Sequence, residues 1–236
     1  MVPTWAMHDF FLHLRSHDGV AHSSIAREHG ITWHKERRLV ELGVLDRPAH
    51  RLLRSTAHPE TWRQRCRIAT MSAGNGVISH GAAARLHRLD GFADHPLVDI
   101  LCRKGSWPGH PGVVITHFTR GLTDDDIVTV DDIPTLSIPA TLALLRPHSG
   151  ETATMQAIVS AVVRGWSVTD LRDTAVRWRS RGRPGPSFCL DVLDRIDRLG
   201  TQASMGASIS SAADHGSRRK ATTSLVTSSH RSPVQI

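Results

Sequence analysis

The sequence has no tyrosine, three cysteines and three lysines among its 236 residues. Each scarcity excludes something. Cys66, Cys102 and Cys189 are odd in number and far apart, which excludes a disulfide framework and fits a reducing cytoplasm. Lys35, Lys104 and Lys220 are preceded at the −2 position by Trp33, Cys102 and Arg218. No (D/E)-x-K therefore exists, and a metal nuclease built on that triplet is excluded. No apolar run approaches the roughly 18 residues that a membrane span needs. Met1-Val2-Pro3-Thr4-Trp5 lacks a basic stretch leading into an apolar segment, so export is not expected. The expected location is the cytoplasm, with no membrane partner.

What is present is ordinary in amount. A 39% hydrophobic fraction supports a globular core and excludes collagen-like and fully disordered classes. The length fits one large domain or two small ones. Of 29 basic residues all but the three lysines are arginine, a bias that a GC-rich genome produces unaided. The net charge is +7, unevenly placed: residues 181–236 carry +4 and residues 121–180 carry −3. Such an excess permits nucleic-acid binding without establishing it.

The predicted fold class is α+β. A winged helix-turn-helix is expected over 1–56 and a mixed α/β domain with a small sheet over 57–182. A terminal helix follows over 183–200. Residues 201–236 hold 13 Ser/Thr and no aromatic residue. They bury too little apolar surface to offset chain entropy and are expected to be disordered. In the α/β part, helices are predicted from His58, over Gly81–Leu89, Pro139–Leu145 and Ala153–Val163, and from Ser167. Strands are predicted at Leu97–Cys102, Val113–Phe118 and Ile127–Val130.

The most informative stretch runs from His22 to Arg54. Ser23-Ser24 caps a short helix, with Ala26 small enough for a close helix crossing. Gly30 stops it, Ile31 plugs the corner, and Thr32 caps a second helix carrying Leu39 and Leu42 to the stop at Gly43. These are the sterics of a helix-turn-helix. The second helix presents Thr32, His34, Lys35, Arg37 and Arg38 outward, where such helices enter the major groove. Val44-Leu45 and Arg51–Arg54 read as a hairpin, a wing placing Arg47, Arg51 and Arg54 on phosphates. Over residues 22–54 the net charge is +3. A plain three-helix bundle with a solvated charged face fits the same pattern, and winged modules also dock proteins.

A family resemblance adds to this. Val77-Ile78-Ser79-His80-Gly81-Ala82-Ala83-Ala84-Arg85-Leu86-His87-Arg88-Leu89-Asp90-Gly91-Phe92 resembles the "SH-x-(S/G)-AA-x-L-(H/W)-G-L" segment of AbiEi-type antitoxins and transcriptional regulators. The strands Val98-Asp99-Ile100 and Gly112–His117 follow in the same order, as does Ile133-Pro134-Thr135-Leu136-Ser137-Ile138-Pro139-Ala140-Thr141-Leu142. The likeness covers about residues 5–185. It implies a DNA-binding antitoxin of type IV that represses its own operon through the winged domain. The implied partners are double-stranded DNA of its own promoter and a nucleotidyltransferase toxin, neutralised without a stable complex. Many relatives continue into a nuclease resembling the very-short-patch repair endonucleases, which the missing (D/E)-x-K rules out. The alternative reading is a truncated relic or accessory subunit of such a nuclease protein.

Other candidate chemistry is weaker. His13 and His17 have i,i+4 spacing, which suits two imidazoles on one ion, but a third ligand such as His8 or Cys66 must come from elsewhere. His80 and His87 fall on one helical face and read as structural. Asp124-Asp125-Asp126 with Asp131-Asp132 fits either a divalent cation or a solvated turn, the plainer reading. Gly74-Asn75-Gly76 lacks a Walker lysine, and no Gly-x-Ser-x-Gly or Cys/His nucleophile motif occurs. No catalytic residue, metal site or cofactor is expected, and the chain is not expected to be an enzyme.

Overall fold

The computed structural model describes residues 4–74, 76–103, 114–179 and 185–199. The segment 201–236, expected to be disordered, lies outside them, as do Asn75 and most of the Gly/Pro breaker around 183. Among the described residues the chain is mixed α and β with two small sheets, in agreement with the α+β class. The first compact unit is Met1–Val192. The second begins at Leu193, where the helix over 185–199 continues.

Helix α1 (Thr4–Ser16) carries Phe10 and Leu14, an i,i+4 pair on one face, both fully buried. They pack with Ala21, Ala26, Ile31, Leu39, Leu45 and Leu53 as one core. Asp18 and Gly19 then turn the chain through the left-handed region, at φ +53° and +77°. A Cβ on Gly19 would lie 2.6 Å from that of His58, so glycine is required there.

Next come β1 (Val20–His22), α2 (Ser23–Glu28), α3 (Trp33–Glu41), β2 (Leu45–Asp46) and β3 (Leu52–Ser55). The sheet order is β1-β3-β2, antiparallel throughout, with Ala21 opposite Leu53 and Asp46 opposite Arg54. The helix pair and its hairpin match the sequence reading. Strand β1 does not appear in it. Three residues give too little alternation to register, and their pairing with β3 is a tertiary effect. The cap of α2 also differs: His22 Nδ1, not a serine hydroxyl, accepts from the Ser24 N–H at 3.2 Å.

Helix α4 (Trp62–Ser72) is capped by Thr61, whose hydroxyl accepts from the Gln64 N–H at 3.0 Å. It places Ile68 and Met71 on Val20 and Leu52 of the first sheet. Beyond it lie β4 (Val77–Ile78), α5 (His80–Leu86), β5 (Val98–Arg103), β6 (Val114–Thr119), β7 (Ile127–Val130) and β8 (Ile133–Leu136). The second sheet has the order β6-β5-β4-β8-β7, mixed in direction. β7 and β8 are joined by Asp131-Asp132, both at positive φ, a type I′ hairpin turn. The sequence reading left β4 and β8 out, since segments of two and four residues carry too little period of their own.

Helix α6 (Ile138–Ser149) is buried from Ile138 to Leu145 and packs against α5, α7 (Glu151–Val163) and α8 (Val168–Trp178). Ser167 caps α8 by accepting from the Asp170 N–H at 3.3 Å, as the sequence suggested. The acidic cluster is not merely a solvated turn. Asp124 and Asp125 are exposed, but Asp126 is fully buried. Its carboxylate accepts from Arg177 (3.0 Å), Trp178 Nε1 (3.1 Å), and the Thr123 N–H (3.0 Å) and hydroxyl (2.8 Å). Among the described residues no helix is long and apolar enough to cross a membrane.

Two arginines of α4 link the turns of the two sheets: Arg63 lies 3.2 Å from Asp18 and donates to Asp131 Oδ2 at 3.1 Å, and Arg67 is the buried one. Arg67 of α4 is 5% exposed. Its guanidinium donates to Asp18 Oδ2 (3.0 Å), to the Asp131 carbonyl (3.1 Å) and to the Asp132 carbonyl (3.3 Å). Substituting Arg67→Met removes these three bonds and leaves the Asp132 carbonyl unanswered, with Arg63 still beside Asp18 and Asp131, which should cost about 2–4 kcal/mol in urea denaturation. An unchanged midpoint would show that the sheets hold together without it.

Asp126 makes a pH-dependent contribution. Burial pushes its carboxyl pKa up, but hydrogen bonds from Arg177, Thr123 and Trp178 outweigh this and hold it below the ordinary 3.8. A depressed folded-state pKa stabilises above that ordinary value, and the contribution is lost as pH falls through the folded one. Asp126→Asn should therefore be less stable than wild type at neutral pH, and the gap should close in acid. A gap in melting temperature that stays constant down to acid pH would refute this.

Candidate functional site

The first candidate surface is built by α3 and the β2–β3 hairpin. Gly30, φ +71°, turns the chain just past the end of α2, and the Ile31 N–H bonds back to the Ala26 carbonyl at 2.8 Å. Ile31 is fully buried in the corner. Only Glu36 and Leu39 of α3 are buried, so most of the helix faces outward. Thr32, His34, Arg37 and Arg38 are exposed and Lys35 is half-buried. Thr32 stands at the cap position without a side-chain capping bond. Trp33, 51% exposed, lies beside them with the Arg37 guanidinium 5.8 Å from its ring centroid. Sequence reasoning passed over Trp33, although an exposed tryptophan opening a helix is itself a signal.

The arginines of this surface differ in what they hold. Arg37 donates to Glu41 at 2.9 Å, and Arg38 lies 3.7 Å from the same carboxylate. All three side chains are about half exposed or more. Such surface pairs contribute about 0–1 kcal/mol, less than the roughly 1–3 kcal/mol of a bidentate arginine–guanine contact. Arg37 and Arg38 are therefore only weakly held by Glu41. Arg51 is exposed at the hairpin tip, at φ +58°. Arg54, expected on phosphate, is paired with Asp46 at 3.0 Å and Glu60 at 3.3 Å, because the strand register sets it opposite Asp46. Its hydrogen bonds to Asp46 raise its pKa further. Arg47 also has a structural partner: it donates at 2.6 Å to Glu36, whose side chain is 1% exposed. Ser23 donates to the same oxygen at 3.2 Å.

A second constellation lies at the second sheet, and the sequence reading missed it. His80, His117 and His148 bring their ring nitrogens within 4.8 Å of one another. His80 opens α5 in a left-handed conformation, φ +46°. His117 comes from β6, and His148 from the last turn of α6, just after Pro147. Pro147 has no N–H for the Ala143 carbonyl. Gly185 fits against that carbonyl, where a Cβ would come within 2.6 Å. Behind the rings sits Asp99, 2% exposed, with His117 Nε2 at 3.1 Å and His95 Nε2 at 3.0 Å from its two oxygens. Gly81 makes room for His95, whose ring would clash at 2.6 Å with any Cβ there.

Burial, then the neighbouring His117 and His148, push the His80 pKa down to about 3, against an opposing pull from Asp99. Burial also lowers His148, with a further contribution from His117. Asp99 is pushed up by burial, but hydrogen bonds from His117 and His95 hold it below the usual carboxylate range. A pocket of about 200 Å³ opens beside the three rings, lined also by Phe118, Trp178 and Pro186.

The other histidine candidates do not assemble. His13 and His17 stack face to face at 3.9 Å, which points their in-plane lone pairs past each other. His17 Nδ1 is occupied by the His13 carbonyl at 2.8 Å. Cys66 is buried, which pushes its thiol up to about 12. His87 is structural as expected, with Nε2 2.7 Å from the Leu136 carbonyl, whereas His80 belongs to the triad.

No protein-family model and no curated protein matches the chain. Among solved structures, the crystal structure of the RV2827C protein from Mycobacterium tuberculosis is similar over 82% of each chain, at 15% identity and a TM-score of 0.44.

Burial makes the two partners of the Glu36–Arg47 pair unequal. Arg47→Ala leaves a buried carboxylate without its cation, whereas Glu36→Gln releases a half-exposed guanidinium to water. The first should cost about 3 kcal/mol and the second about 1 kcal/mol in chemical denaturation. The reverse order would mean that Glu36 is hydrated in solution.

Proposed function

We propose that residues 1–56 form a winged helix-turn-helix that binds double-stranded DNA, and that the chain is a transcriptional regulator of antitoxin type acting on its own operon. The observation that carries this is the exposed basic side of α3, set beside a hairpin in the order helix, strand, helix, helix, strand, strand. In winged modules the second helix of the pair enters the major groove and the hairpin lies over an adjacent backbone. Thr32, His34 and Arg37 near the start of α3 would face base edges, with Lys35 and Arg38 flanking them. Arg51 would reach phosphate. Arg47 and Arg54 would act mainly by pinning the wing to α3 and to the end of the hairpin. The resemblance of residues 77–92 and 133–142 to AbiEi-type regulators supports the operon's own promoter as the target, and a nucleotidyltransferase toxin as a functional partner that is not stably bound.

The test is binding of the purified protein to its own promoter fragment by fluorescence anisotropy across a salt series. Replacing both Arg37 and Arg38 with Ala should weaken binding by about tenfold or more. Arg51→Ala should weaken binding to all sequences alike and reduce the salt slope by about one. A double variant that binds the promoter like wild type would overturn the assignment of α3.

A further inference from the structure

We infer that His80, His117 and His148 form a binding site for a divalent transition-metal ion of the zinc class, with a fourth coordination position open to the adjoining pocket. Three imidazoles brought together are the donor set such ions take, and three protein ligands plus an open position is the pattern of accessible zinc sites. Tetrahedral bonds of about 2.1 Å would set the nitrogens roughly 3.4 Å apart. The observed separations, up to 4.8 Å, close by modest ring rotations. His148 is exposed and can supply most of that movement.

The surroundings fix which nitrogen two of the rings offer. His117 Nε2 is turned to Asp99, so Nδ1 is its free donor atom. His80 Nδ1 lies 2.9 Å from the Ser79 hydroxyl, which leaves Nε2. A carboxylate behind a ligating imidazole orients it and raises its basicity. Here that carboxylate is itself buried and held from the other side by His95. Plain packing of three rings needs none of this. Nor does packing explain why a non-glycine residue opens α5 in a left-handed conformation, a strain of about 1–2 kcal/mol that persists only where its surroundings enforce it. That conformation delivers the His80 ring to the other two. An ion here would tie α5, β6 and α6 together at a single point.

The experiment uses the full chain freed of metal by chelation, titrated with Zn²⁺ by calorimetry and with Co²⁺ by visible absorption. One equivalent should bind, with the d–d bands of a tetrahedral, nitrogen-ligated Co²⁺. At a hundredfold excess over Kd, Zn²⁺ should raise the melting temperature by about 5–10 °C. His148→Ala, at an exposed position, should keep the fold and lose both the bands and the thermal shift. Asp99→Asn should lower affinity by about 10- to 100-fold, as expected of a positioning residue. A His13→Ala, His17→Ala variant should bind like wild type. Absence of the Co²⁺ bands in the wild-type chain, or full binding retained in His148→Ala, would overturn the site. His148→Ala decides the matter even if His80→Ala fails to fold.

Discussion

The buried guanidinium of Arg67 is the constraint on which the arrangement of the first compact unit depends. Two turns distant in sequence, Asp18-Gly19 and Asp131-Asp132, converge on it. Both run through the left-handed region, where carbonyls aim in directions that ordinary turns do not reach. Gln64, one turn earlier on α4, adds a bond from Nε2 to the Asp18 carbonyl at 2.7 Å. A helix packed on the first sheet by Ile68 and Met71 is thereby fastened to the hairpin of the second sheet by its polar side. Apolar burial alone would allow such a helix to slide or rotate. A forked donor with three fixed acceptors does not.

The same logic separates the side chains that build the candidate surfaces from those free to act there. In the first surface, Arg47 and Arg54 are tied to carboxylates of low exposure or fixed register, while Arg37, Arg38 and Arg51 face solvent with weak partners or none that sets their position. In the second, Asp99 uses both oxygens on histidines and holds one ring edge-on. Each case places a polar group by satisfying another polar group behind it, which fixes geometry at little cost in exposed area.

How much of this was legible depends on the range of the signal. Ala26, Gly30, Ile31 and Gly43 act within a few residues of one another, and the helix pair followed from sterics alone. The pattern of Arg37 and Arg38 followed from the 3.6-residue period. Strands β1, β4 and β8 did not, because two to four residues become a strand only through partners brought in by the rest of the fold. The histidine triad was hidden for a stronger reason. Its members come from a helix start, a strand and a helix end, and no spacing rule connects positions 80, 117 and 148. A local cue did exist. Ser79-His80-Gly81 puts a ligand-capable ring between a hydrogen-bonding hydroxyl and a residue without a Cβ, and Gly81 is needed because the His95 ring lies against it. The acidic cluster misled in the opposite sense, since composition showed three adjacent carboxylates but not that one of them faces Arg177 and Trp178.

Composition also overstates the cationic surface. A net charge of +7 suggests a cationic surface, but much of the arginine faces inward or toward acceptors of the fold. Arg54 and Arg63 bind carboxylates, Arg177 binds buried Asp126, and Arg164 reaches the His87 carbonyl at 3.1 Å. Arg85 donates to the His95 carbonyl at 2.6 Å while lying 4.2 Å over the Trp62 ring. A planar guanidinium serves two acceptors, or an acceptor and an aromatic face, at once; an ammonium has no comparable geometry. Lysine at position 67 has no fork to span its three acceptors, and the Asp132 carbonyl has no second arginine to answer it. Whatever genomic bias made arginine abundant and lysine rare, the fold has come to depend on the difference. The charge relevant to a polyanion is then the local surplus on α3 and the hairpin tip, not the total for the chain.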